Sequence, residues 1–153
     1  MTIAVNPRRL YIEKDAFPSI PLLMVVTLDS LRDLGGSASI QELVDHVIEH
    51  EGITEDEQNY PMPNGRDKRL NYYLAWARTY LKRGGGVENS RRGVWSLTEK
   101  GEHITDLSET QKIYDAVTEE ERQRAKVKRD AKKDKKEIQL PRPEYSQIFN
   151  QPD

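Results

Sequence analysis

Between Asn64 and Gly101 the sequence carries nine cations, Arg66, Lys68, Arg69, Arg78, Lys82, Arg83, Arg91, Arg92 and Lys100, against only Asp67, Glu88 and Glu99. That is a local net charge of +6 in a chain whose formal charge is −2, so the basic charge is concentrated rather than spread. Ammonium and guanidinium groups at this density suit a polyanion, and the residue types divide the work. Lys68 and Lys82 would neutralise phosphates, while Asn71 has the amide that pairs with an adenine edge and Arg78 the fork that pairs with guanine.

Other chemistry has little to draw on. The chain has no cysteine and therefore no disulfide framework and no thiolate-bound zinc. Of the three histidines, His46 and His50 stand four apart, but Val-Ile-Glu precedes the second one rather than a metalloprotease pattern. They are expected to be surface histidines near a helix C-terminus, where their partial charge is favourable, with no metal and no cofactor. No paired nucleophile and base, and no convergent carboxylates, point to an enzyme. No apolar run approaches the ~20 residues that span a bilayer, and no signal-peptide core follows Arg8 and Arg9. A cytoplasmic, nucleoid-associated protein is expected.

The basic residues need a helix and a ribbon to hold them. Asn64 reads as an N-cap, Asp67 as a first-turn acid, Lys82 and Arg83 as last-turn bases, and Gly84-Gly85-Gly86 as the stop. At ~100° per residue, Leu70, Tyr73, Leu74, Ala77, Tyr80 and Leu81 form one face, and Lys68, Asn71, Ala75, Arg78 and Lys82 the opposite one, with Arg69, Tyr72 and Trp76 on the flank. Val87-Glu88-Asn89 and Val94 to Leu97 alternate as short strands joined by Ser90-Arg91-Arg92-Gly93, which puts two arginines at a hairpin tip. Trp76 and Trp95 are expected in the core. A basic helix followed by such a hairpin is the arrangement of a winged helix.

The remaining chain reads as support. Residues 1–17 are expected to be an arm with a short strand at Leu10-Tyr11-Ile12. Ser19 caps an apolar helix with Pro21 in its first turn, ending at Gly35-Gly36. Ser39 with Glu42, and Thr54 with Glu57, are capping boxes. From Gln41 to Glu57 there are seven acids and no lysine or arginine, a surface that a phosphate backbone would avoid. Thr98 caps a short helix to about Asp106, Ser108 with Gln111 restarts helix, and Thr118 with Glu121 offers a further box. From Glu119 to Glu137 nine cations meet six acids with almost nothing to bury, which predicts a solvated helix. Residues 138–153, with three prolines, Tyr145 and Phe149, read as an extended, flexible tail.

The run Asn71-Tyr72-Tyr73-Leu74-Ala75-Trp76-Ala77-Arg78-Thr79-Tyr80-Leu81-Lys82, followed by Arg91-Arg92-Gly93-Val94-Trp95-Ser96-Leu97-Thr98-Glu99-Lys100-Gly101, resembles the N-terminal winged-helix domain of Mrr-type restriction endonucleases. The likeness covers residues 18–106. It implies DNA binding, with reading by Lys68, Asn71, Tyr72, Ala75, Arg78 and Lys82 and by the wing arginines Arg91 and Arg92. In that family a following nuclease domain cuts DNA, often modified, with magnesium at an acidic-plus-lysine site. No such pattern follows Gly101, so cleavage does not carry over.

The expectation is thus a mainly α fold with a small β-hairpin: a winged helix-turn-helix over 18–106, a charged helical extension over 107–137 and the tail. It would bind double-stranded DNA, modified or not, through Arg66, Lys68, Arg69, Asn71, Tyr72, Arg78, Lys82, Arg91 and Arg92. A separate effector or nuclease recruited by the tail, and a homodimer on the thin seam of Ile113, Val117, Val127 and Ala131, are the further partners expected. The alternative is a winged-helix adaptor or regulator that binds protein.

Overall fold

The computed structural model describes residues 8–134; the expected tail over 138–153 lies outside the described residues. Helix α1 (Ile20–Asp33) is the centre. Ser19 accepts from the Leu22 N–H at 3.2 Å, Pro21 fits the first turn, and Leu23, Met24, Val26, Leu28 and Leu31 are almost wholly buried. Two glycines at positive φ, Gly35 and Gly36, turn the chain into β1 (Ser37–Ser39), a strand the sequence reading missed.

Ser39 then caps α2 (Ile40–Glu51) in a full capping box with Glu42, and Thr54 does the same with Glu57 for α3 (Glu55–Asn59). Helix α4 (Arg69–Arg83) packs against α1 through Leu70, Tyr73, Leu74, Ala77 and Leu81. Strands β2 (Val87–Arg91) and β3 (Val94–Leu97) complete an antiparallel sheet in the order β1-β3-β2, with Ala38 opposite Trp95 and Asn89 on its other side. This element order, with α4 leading into the β2–β3 hairpin, is a winged helix-turn-helix.

Two close contacts anchor the chain beyond the sheet. The turn of α5 (Glu99–Glu102) presses on Gly86 so closely that a Cβ at Gly101 would stand 1.9 Å from the Gly86 carbonyl oxygen. Arg32 of α1 donates to the Gly101 and Ile104 carbonyls at 3.2 and 3.0 Å, tying α5 back to the centre. Helix α6 (Leu107–Asp134) then runs unbroken for 28 residues. Asp106, rather than Ser108, caps it by accepting from the Glu109 N–H at 3.0 Å, which holds the Asp106 carboxyl below its ordinary range. No new helix starts at Thr118. The first half of α6 packs on the body through the buried Thr110 and Val117, and its second half is largely exposed.

The N-terminal stretch departs from the expected arm. Leu10 and Ile12 are buried in the core, although the segment forms no strand. Arg8 pairs with Glu57, and Arg9 with Glu51 at 2.6 Å and Asp29 at 2.8 Å. Two of the seven acids between Gln41 and Glu57 are therefore interior counter-charges to this segment. Only Glu42, Asp45, Glu49, Glu55 and Asp56 are exposed. Burial alone would push the Glu57 carboxyl up, but Arg8 and the N–H groups of Ile12 and Thr54 outweigh it and hold its pKa at about 2.

Candidate nucleic-acid interface

The approach to α4 is built differently from the expectation. Asn64 does not cap the helix; its side-chain oxygen accepts from the Arg66 and Asp67 N–H groups at 2.7 and 3.1 Å, making a local turn at Gly65. The neck of that loop is pinned by Met62 donating to the Asp67 carbonyl at 2.7 Å, Arg69 donating to that of Tyr60 at 2.7 Å, and a bridge between Pro61 and Lys68. The helix starts at Arg69, five residues later, with Lys68 as a cap that makes no side-chain hydrogen bond. Arg66 is carried on the exposed loop and Lys68 at its foot, both open to solvent.

On α4 itself, Asn71 and Lys82 are exposed, and Arg69 and Tyr72 are half-buried. Tyr72 meets the Tyr73 ring edge-on at 5.1 Å. Burial pushes the Tyr73 phenol up, with Arg69 pulling the other way. Arg78 departs from the expected outer face: it is only 4% exposed, and its guanidinium carbon lies 5.7 Å from the Trp95 ring centroid. It lies only ~20° round the helix from the exposed Asn71, but two turns further along, where its side chain is drawn in beside Trp95 of β3, so it is not an outward-reaching reader. Lys82 reaches over the same ring at 6.0 Å while its side remains open. Ala75 is also buried, at 8%. Thr79, half-buried on the same outer stripe and donating to the Ala75 carbonyl at 3.1 Å, was passed over by the sequence reading.

The hairpin places its arginines as expected, with a different turn. Strand β2 continues through Arg91, a bulge falls between Asn89 and Arg91, and Arg92-Gly93 makes the tight turn with Gly93 at φ +75°. Asn89 donates across to the Val94 carbonyl at 2.9 Å, and Arg91 and Arg92 are exposed. The turn is braced from behind by the Ile40 N–H at the head of α2, which donates to the Gly93 carbonyl at 3.2 Å. Across the sheet, Ser96 donates to or accepts from Ser37 at 3.0 Å and Ser90 at 2.9 Å, a row of hydroxyls spanning all three strands. That row was invisible in the sequence because β1 was.

Not every cation in the basic stretch is available. Arg83 is held by Glu120 at 2.6 Å and by Glu121, both on α6. Trp95 is buried, 3% exposed, as a core residue, and Trp76 is half-buried beside Tyr80. What remains on the surface is Arg66, Lys68, Asn71, Lys82, Arg91 and Arg92, with Arg69, Tyr72 and Thr79 half-buried among them, and Lys100 exposed on α5. Helix α4 contains no acidic residue.

Among the described residues no helix is long and apolar enough to cross a membrane. Comparison with curated proteins and with solved structures returned no match. A family model, the Mrr N-terminal domain, matches residues 22–107, more than half of the chain, from the first turn of α1 through α5. The chain therefore belongs to the Mrr N-terminal domain family.

Proposed function

We propose that the protein is a DNA-binding module of a Mrr-like restriction system, without catalysis of its own, that docks α4 in a groove and the β2–β3 wing on the adjoining backbone. The observation that carries this reading is the outer stripe of α4. It offers Lys68, Asn71, Tyr72, Thr79 and Lys82 with no acid among them, and it leads directly into a hairpin tipped by Arg91 and Arg92. Lys68, Lys82, Arg66 and the wing arginines supply phosphate contacts; Asn71 is the residue with base-reading chemistry. Arg69 and Tyr72 line the flank. The exposed acids of α2 and α3 would make an approach of the backbone over those helices unfavourable.

The test is a fluorescence-anisotropy titration of random-sequence duplex at two salt concentrations, unmodified and cytosine-methylated side by side. Salt-sensitive binding is expected, with a slope of roughly −0.9 per phosphate neutralised. A preference between the duplexes would extend the reading to sensing of base modification. No binding at low salt would sink it.

A further inference from the structure

His46 and His50 project from the second half of α2, one turn apart, with rings stacked at 5.4 Å between centroids. The fold adds a third group from a different helix. Asp33, the last residue of α1, brings its carboxylate to 3.3 Å from His46 Nε2. One ligand atom from each of Asp33, His46 and His50 fits within a sphere of mutual distances of 4.8 Å. The 3.3 Å spacing is what two ligands ~2.0 Å from a tetrahedral ion have between them.

The ring that would anchor the ion is also oriented. His46 Nδ1 lies 3.1 Å from the hydroxyl of Ser30, a residue 1% exposed on α1. The hydroxyl can accept from or donate to Nδ1, so it suits either tautomer; its contact holds the ring with Nε2 toward Asp33, and an ion on Nε2 would make Nδ1–H the donor to Ser30, as in the outer shell of metal-binding histidines. Two imidazoles and one carboxylate, with a fourth position open to solvent, form a borderline donor set that suits zinc better than magnesium or calcium.

We propose that Asp33, His46 and His50 form a zinc site that staples the end of α1 to α2. The same helix α2 braces the wing turn through Ile40, so the staple would steady the wing's support from behind. The site is independent of the DNA-binding reading.

The test is isothermal titration of the untagged, metal-stripped full chain with zinc chloride, alongside thermal melts and cobalt(II) absorption. One zinc per chain, a raised Tm and four-coordinate cobalt bands in the visible are expected. His50→Ala should abolish binding. Asp33→Asn should weaken it by at least tenfold, and Ser30→Ala by about tenfold or more. Circular dichroism of each metal-free variant checks that it is folded, and His50→Gln replaces any variant that is not. Absence of stoichiometric zinc binding by the folded wild type would overturn the proposal. Binding that survives Asp33→Asn unchanged would overturn it equally, since the helical histidine pair alone would then account for it.

Discussion

Arg78 and Lys82 stand one turn apart on α4, and the sequence assigns them the same face, yet they should behave differently when removed. Arg78 is buried over Trp95, so Arg78→Ala takes away packing as well as charge and should lower the thermal midpoint. Lys82 is exposed, so Lys82→Ala should leave the midpoint nearly unchanged while reducing the salt slope of DNA binding by about 1. Melting curves and anisotropy on the two variants separate these outcomes. Glu57 gives a second residue-scale prediction. Its folded pKa of about 2 lies below the ordinary 4.5, so its stabilising contribution is present above 4.5 and is lost as pH falls from there toward 2. Urea midpoints should drop between about pH 5 and pH 3, and Glu57→Gln should flatten that drop.

At the scale of elements, the joint between α5 and the turn before β2 leaves no room for a Cβ at Gly101. Because the atom in the way is a carbonyl oxygen and not a flexible side chain, Gly101→Ala must push α5 away from Gly86. The expected cost is ~3 kcal/mol or more, read as a lower urea midpoint. Elements whose signals are local were legible in the sequence. The Ser39–Glu42 and Thr54–Glu57 boxes, the Ser19 cap and the glycine stops need only neighbours a few residues away. Asn64 was misread because an Asx turn and an N-cap look alike: in both, the side-chain oxygen accepts from N–H groups two and three residues on. What decides between them is the Pro61–Lys68 bridge, a pairing no cap rule contains. Strand β1 is three residues long, too short for an alternation to show, and it exists because β3 offers it an edge. Arg78 was assigned outward from helix geometry alone, which groups it with the exposed Asn71 and knows nothing of the Trp95 ring that β3 sets beside it.

For the whole molecule, the segment ahead of α1 is part of the fold. Leu10 and Ile12 fill the core, and Arg8 and Arg9 neutralise Glu57 and Glu51, which are 7% and 4% exposed. Removing residues 1–12 should leave two buried carboxylates without their cations, a loss of about 3–5 kcal/mol for each broken pair. The shortened chain should melt far lower or fail to melt cooperatively, and Glu51→Gln with Glu57→Gln should recover part of the loss. The same embrace operates at the other end, where Ile113 of α6 sits against Gly84 and Arg83 is gripped by Glu120 and Glu121. The stretch that the family shares, residues 22–107, excludes the arginines at one end and the glutamates at the other. A recombination event that exchanged this domain at the family's edges would deliver a core without its seal. The stretch that the family shares and the stretch that packs as one body are therefore different, and a successful transplant of this domain must carry both flanks with it.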